Sequence, residues 1–162
     1  MFSVYDSKKV KVYIGGEQIV GFSPDSKVTI TPASDGTDRQ VGTDGDVAFS
    51  VSNDNTFDIK INLMQSSKSN DKLSAFYNAF TKNGTTKRIM IKDLSGSTVF
   101  SAPQCAPKNY AEAGFQKTAQ SREWTIVTSQ AENVVIGGSD NNSQKASDLL
   151  GNTFSNASTI LY

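Results

Sequence analysis

The chain contains no histidine and a single cysteine. Without histidine it cannot form a Ser-His-Asp triad, a Cys-His pair or a His-ligated zinc site, and it lacks the commonest general base. Cys105 can neither close an intrachain disulfide nor, without histidine, build a structural zinc site. Placed between Pro103 and Pro107, it reads as a small, partly buried hydrophobe, in keeping with a reducing compartment. Charge of one sign is also missing: 16 Lys and Arg offset 16 Asp and Glu. No global field therefore draws the chain to nucleic acid or to an anionic membrane. The opening MFSVYDSKKVKVYIGG has no apolar run after its charges, so neither a secretory signal nor membrane insertion is expected. Gly15-Gly16 and Gly137-Gly138 lack the spacing of a phosphate-binding loop. These gaps point to a protein that is not an enzyme and holds no cofactor or metal.

What is present is strand patterning. A length of 162 residues fits one domain that buries roughly 70% of the surface of its unfolded chain. Val10, Val12 and Ile14 alternate with lysines and Tyr13, and the Gly15-Gly16 turn leads into a second arm from Glu17 to Phe22. Val28 and Ile30 continue the alternation until Pro32 ends it. Asp44-Gly45 suits a type I′ turn between strands 39–43 and 46–52, with Val47, Phe49 and Val51 on one side and Ala48, Ser50 and Ser52 on the other. Phe57, Ile59, Ile61 and Leu63 form the longest apolar row, opposite Asp58, Lys60, Asn62 and Met64, which predicts a sheet with one dry and one wet face. From Asn70 the period changes, and Leu73, Phe76, Tyr77 and Phe80 make a helical stripe. Asn70 suits its N-cap and Asn83-Gly84 its stop.

Ile89 and Ile91 begin a further hairpin through Ser95-Gly96 to Thr98–Ala102, and EWTIVTS and NVVI supply two more strands, with Trp124 and Ile126 on one face. Periodicity leaves 109–118 open between a loop and a short helix. The expected fold class is mainly β (α+β), an antiparallel sandwich or rolled barrel with one flanking helix, over residues 1–138. A polar tail, 139–162, follows as part of the domain or as an assembly arm.

Charge is uneven along the chain. Between residues 35 and 58 stand Asp35, Asp38, Asp44, Asp46, Asp54 and Asp58 against Arg39 alone. With Asn53 and Asn55 these acids could offer oxygen ligands, but their order does not match a calcium loop and no Glu closes it. They read as solvated turn acids, or as a surface that repels a phosphate backbone at short range.

The segments VKVYIGGEQIVGFSPDSKVTITP, GTDGDVAFSVSND, FDIKINLMQSSKSNDKLSAF and EWTIVTSQAENVVIGG together resemble the tail tube proteins of contractile-tailed bacteriophages over residues 8–138. Gln65, Ser66, Ser67, Asn70 and Leu73 carry the most specific part. The resemblance implies a structural virion protein whose homo-hexameric rings stack into the inner tail tube, forming a channel for the tape-measure protein and for transient, non-specific DNA passage during ejection. The implied partners are the sheath, tape-measure, baseplate and tail-terminator proteins, and the implied location is the virion tail after assembly in the host cytoplasm. It makes Asp38, Asp44, Asp46, Asn53, Asp54 and Asp58 candidates for a subunit interface, a ring-ring interface or the lumen. Residues 1–9 and the tail become candidate arms. The long polar tail departs from compact members of the family. Two alternatives are a type VI secretion tube protein and an adhesive carbohydrate-binding β-sandwich.

Overall fold

The computed structural model describes residues 9–24 and 27–138, so the tail and most of the N-terminal arm lie outside the described residues. The elements run β1 (Val10–Ile14), β2 (Glu17–Gln18), β3 (Val28–Pro32), β4 (Thr37–Val41), β5 (Val47–Val51), β6 (Phe57–Met64), α1 (Ser69–Asn83), β7 (Lys87–Asp93), β8 (Val99–Pro107), β9 (Ser121–Thr128) and β10 (Asn133–Val135). Strands pair in the order β2-β1-β7-β8-β9-β6-β3, with β10 on β8 and β4-β5 as a separate two-stranded sheet. The fold is mainly β and antiparallel with one helix, as expected, and β2 and β3 end the order without closing it into a barrel. Residues 109–118 form neither helix nor strand.

The chain divides into two compact units, and β8 begins in the first and ends in the second. The first unit comprises, among the described residues, 9–19, 87–104 and 132–138. Its core rests on pairs across β1 and β7, Val12 with Ile91 and Ile14 with Ile89, and all four side chains are buried, as are Phe100, Ala102 and Val135. Gly15 and Gly16 both have positive φ, 62° and 81°. Glycine reaches that region without steric cost, so the two-residue turn between Ile14 and Glu17 forms as read from the sequence. Glu17 and Gln18 pair back onto β1, and Ile19 N adds one bond to Val12 O at 2.9 Å. The expected second arm is cut short, and Phe22 bridges to Leu63 instead. Gly21, at φ 78°, redirects the chain there. Gly137 serves a different purpose, close approach: a Cβ on it would stand 1.8 Å from Ser97 Oγ.

The second unit comprises 20–24, 27–86 and 105–131. Its central strand is β6, flanked by β3 and β9. Ile59, Ile61 and Leu63 are fully buried, while Lys60 and Met64 are exposed, so the period-2 reading holds along this strand. Trp124 and Ile126 of β9 lie opposite Ile61 and Ile59 and are buried too. Cys105 is a buried free thiol. Leu73 and Phe76 bury the helix's apolar stripe, each contributing about 1.5–3 kcal/mol on the transfer scale. Gly84 closes the helix in the left-handed conformation at φ 66°, its N–H bonded to Phe80 O, as the Asn83-Gly84 signal predicts.

The helix start differs from expectation. Lys68 occupies the N-cap without a side-chain cap bond, and Asn70 lies inside the first turn. Asn70 Nδ2 donates to Met64 O at 2.9 Å and to Ser67 O at 3.1 Å, while Oδ1 accepts from Trp124 Nε1 at 3.0 Å. Asn70 thus ties the helix start to the end of β6 and to β9. Asn70 is therefore not the N-cap: its amide bonds the carbonyls of the approach to the helix and the distant Trp124 indole in place of a cap bond.

Because Asn70 and Trp124 are only 9% and 2% exposed, removing one partner strands the other without water. Asn70→Ala is expected to cost about 2–3 kcal/mol in urea unfolding, with a coupling of about 1 kcal/mol to Trp124→Phe in a double-mutant cycle. A loss below about 0.5 kcal/mol, the scale of an ordinary surface substitution, contradicts the tertiary role.

Candidate functional site

The β4-β5 hairpin carries three of the six candidate residues, Asp38, Asp44 and Asp46, and two more, Asn53 and Asp54, follow it directly. Thr37, Arg39 and Val41 face Val51, Phe49 and Val47 across the ribbon, and Asp38 and Gln40 face Ser50 and Ala48. Side chains alternate between faces along each strand, so Val41, Val47, Phe49 and Val51 share one face with Thr37 and Arg39, and the other face is polar. None of the four apolar side chains is covered: they are 64%, 51%, 71% and 78% exposed. The alternation read from the sequence is therefore real, but on β5 it makes no dry face.

Turn geometry also departs from the type I′ expectation. No non-glycine described residue has positive φ, and Gly45 alone in this turn does, at 88°. Gly42 N donates to Asp46 O at 2.7 Å and Gly45 N to Gly42 O at 3.1 Å. Thr43, Asp44 and Gly45 thus form a three-residue loop, in which a right-handed turn ends in a left-handed glycine. Asp44 and Asp46 stand at this tip.

The base of the ribbon is held by polar bonds. Asp54 accepts from Ser34 Oγ at 2.6 Å, Thr56 Oγ1 at 2.6 Å and Thr56 N at 3.1 Å. Asn55 N donates to Gln130 Oε1 at 2.8 Å and Asn55 Nδ2 to Ala131 O at 3.2 Å, and Ala131 N returns a bond to Asn55 O at 2.9 Å. Asp38 Oδ1 accepts from Arg39 N at 2.8 Å, so it is engaged locally. Asn53 is exposed beside this base, whereas Asp58 belongs to β6, opposite Thr31 and Val127. The structure thus brings Asp38, Asp44 and Asp46 onto the ribbon and Asn53 and Asp54 to its foot, and separates Asp58 from them. No group of three or more Cys, Asp or Glu among the described residues is arranged to hold a metal ion.

The sequence reading missed that the apolar row of β5 is unpartnered. The sequence carries no signal for this, because alternation shows that two faces differ without showing whether either is covered. A cleft of about 520 Å³ beside the helix start, lined in part by Lys68, Asn70, Asp71, Arg122 and Trp124, has Asp71 as its one carboxylate and so offers no acid pair.

The hydroxyl of Ser34, followed by the Thr56 groups, holds the Asp54 carboxyl below the usual aspartate range. A depressed carboxylate stabilises the fold above its unfolded pKa, and that contribution is lost as pH falls through the lower folded value. The Thr56 amide resonance should therefore titrate with a midpoint below the ordinary aspartate value of 3.8, and a midpoint at or above it contradicts the clamp.

Solved structures share the fold. The cryo-EM structure of the anti-feeding prophage cap, a tube terminating cap, matches with a TM-score of 0.55 at 13% identity, covering 83% of this chain and 94% of that one. The sheath-tube complex of the extracellular contractile injection system PVC, in the extended state, matches with a TM-score of 0.55 at 14% identity over 80% of this chain and 91% of that one. The sheath/tube terminator of the same system matches with a TM-score of 0.54 at 14% identity over 80% and 95%. No curated protein sequence matches the chain. The family model of the bacteriophage PhiTE tail tube protein matches residues 14–136, and the chain belongs to that tail tube family.

Proposed function

We propose that the chain builds the inner tube of a contractile virion tail, as homo-hexameric rings stacked around a channel, with the β4-β5 hairpin as the arm that reaches a neighbouring copy. The observation that carries this reading is the uncovered apolar face of a ribbon whose base is clamped to the body of its unit. A two-stranded ribbon is marginally stable alone, and four large apolar side chains in water favour burial by a partner. Tube assembly supplies that partner at high local concentration, since head-to-tail contacts repeat from copy to copy.

In this reading Asp38, Asp44, Asp46, Asn53 and Asp54 act at subunit or ring contacts. The tape-measure protein occupies the channel first and DNA crosses it later, without sequence-specific contact. Sheath, baseplate and tail-terminator proteins meet the tube's outside and its ends, and assembly takes place in the host cytoplasm. The tube role is structural, with no reaction to catalyse.

Electron microscopy tests this directly. The purified chain is expected to form rings or uniform hollow tubes, whereas Phe49→Ser combined with Val51→Ser should stay folded by circular dichroism and raise the concentration needed for assembly by about tenfold or more. A wild-type chain that stays monomeric at high concentration, or a variant that assembles as the wild type does, contradicts the proposal.

A further inference from the structure

A second surface, on the first unit, combines an apolar hollow with basic side chains. The outward face of β1 and β7 carries Lys11, Tyr13, Arg88, Met90 and Lys92, since Val12, Ile14, Ile89 and Ile91 turn inward. In the antiparallel register Tyr13 lies opposite Met90 and Lys11 opposite Lys92. Tyr13, Gly16, Arg88 and Met90 line an open hollow of about 330 Å³, and Met90 is 41% exposed. Gly16 leaves its floor open, because a Cβ there would meet nothing within 4 Å.

Two like charges placed directly across a strand pair destabilise a sheet. Arg88 is answered by Glu132 at 2.6 Å, but Lys11 and Lys92 make no ion pair among the described residues. An apolar hollow beside two unanswered ammonium groups fits an occupant with an apolar knob and acids a few residues away. The hairpin has that composition: Phe49 stands on its apolar face, and Asp44 and Asp46 at its tip. From Asp46 to Phe49 is three residues, about 10 Å of strand. From Lys92 to Met90 is two residues, about 7 Å, and a lysine side chain spans the difference.

We propose that the hairpin of a second copy docks on this face, with Phe49 in the Tyr13–Met90 hollow and Asp44 and Asp46 over Lys11 and Lys92. The inference rests on the reading of the hairpin as a self-association arm and adds the surface that receives it. The contact is heterologous, so it repeats indefinitely along a stack. Charge complementarity then sets the register and the rate of docking.

Charge reversal tests it with a matched control. Lys11→Glu/Lys92→Glu keeps a like-charge pair across β1 and β7, so the fold carries the same local repulsion as before. That variant alone, and Asp44→Lys/Asp46→Lys alone, should each need about tenfold or more protein to assemble, while an equimolar mixture of the two should assemble near the wild-type concentration. Differently tagged copies carrying Phe49→Cys and Met90→Cys should form a disulfide with each other on oxidation. Normal assembly of the lysine-reversed variant, with the Phe49→Ser/Val51→Ser variant still defective, overturns the docking site and leaves the arm intact. Normal assembly of the serine variant overturns the arm as well. No disulfide between the two differently tagged copies under assembling conditions also overturns the proposal.

Discussion

An amphipathic two-stranded ribbon needs a surface to lie on, and that constraint organises the rest of this molecule. Val41, Val47, Phe49 and Val51 occupy one face, and no described residue covers them. Hydrogen bonds within the ribbon keep its register but cannot remove this apolar area from water. What the chain provides is a firm foot: Asp54 bonded to Ser34 and Thr56, and Asn55 bonded to Gln130 and Ala131. The ribbon is held at its base and left uncovered along its length, a disposition suited to contact with another molecule.

The body of each unit follows a simpler rule. In the second unit, β6 supplies one fully buried row and lies between β3 and β9, so the core can form without metal or disulfide. Asn70 adds a directional link there, because its amide satisfies two backbone carbonyls and the Trp124 indole at once. In the stack proposed above, complementary charge beside an apolar anchor would set register as well as adhesion.

Much of this was legible in the sequence because periodicity reports burial. The alternation of Phe57, Ile59, Ile61 and Leu63, the stripe of Leu73 and Phe76 and the stop at Gly84 all follow from geometry local to a strand or helix. Three features were not legible. The arm after Gly15-Gly16 ends early because its continuation pairs with Leu63, a partner remote in sequence. The turn at Asp44-Gly45 takes another form because Gly42 and Asp46 close a three-residue loop, one residue wider on the N-terminal side. The exposure of the β5 row was hidden because alternation shows that two faces differ without showing whether either is covered. The candidate acids were found by their density in sequence, and only the fold separates Asp58 on β6 from those at the hairpin.

Amide hydrogen exchange across residues 37–51, in dissociated and assembled protein, tests the central claim most directly. A ribbon with little to bury it opens locally at low free energy and exchanges fast. Covered by a neighbouring copy, the same amides are expected to slow by about a hundredfold or more, a stabilisation on the order of 3 kcal/mol. Equal exchange in the two states would show that assembly does not cover the hairpin, and would contradict the account.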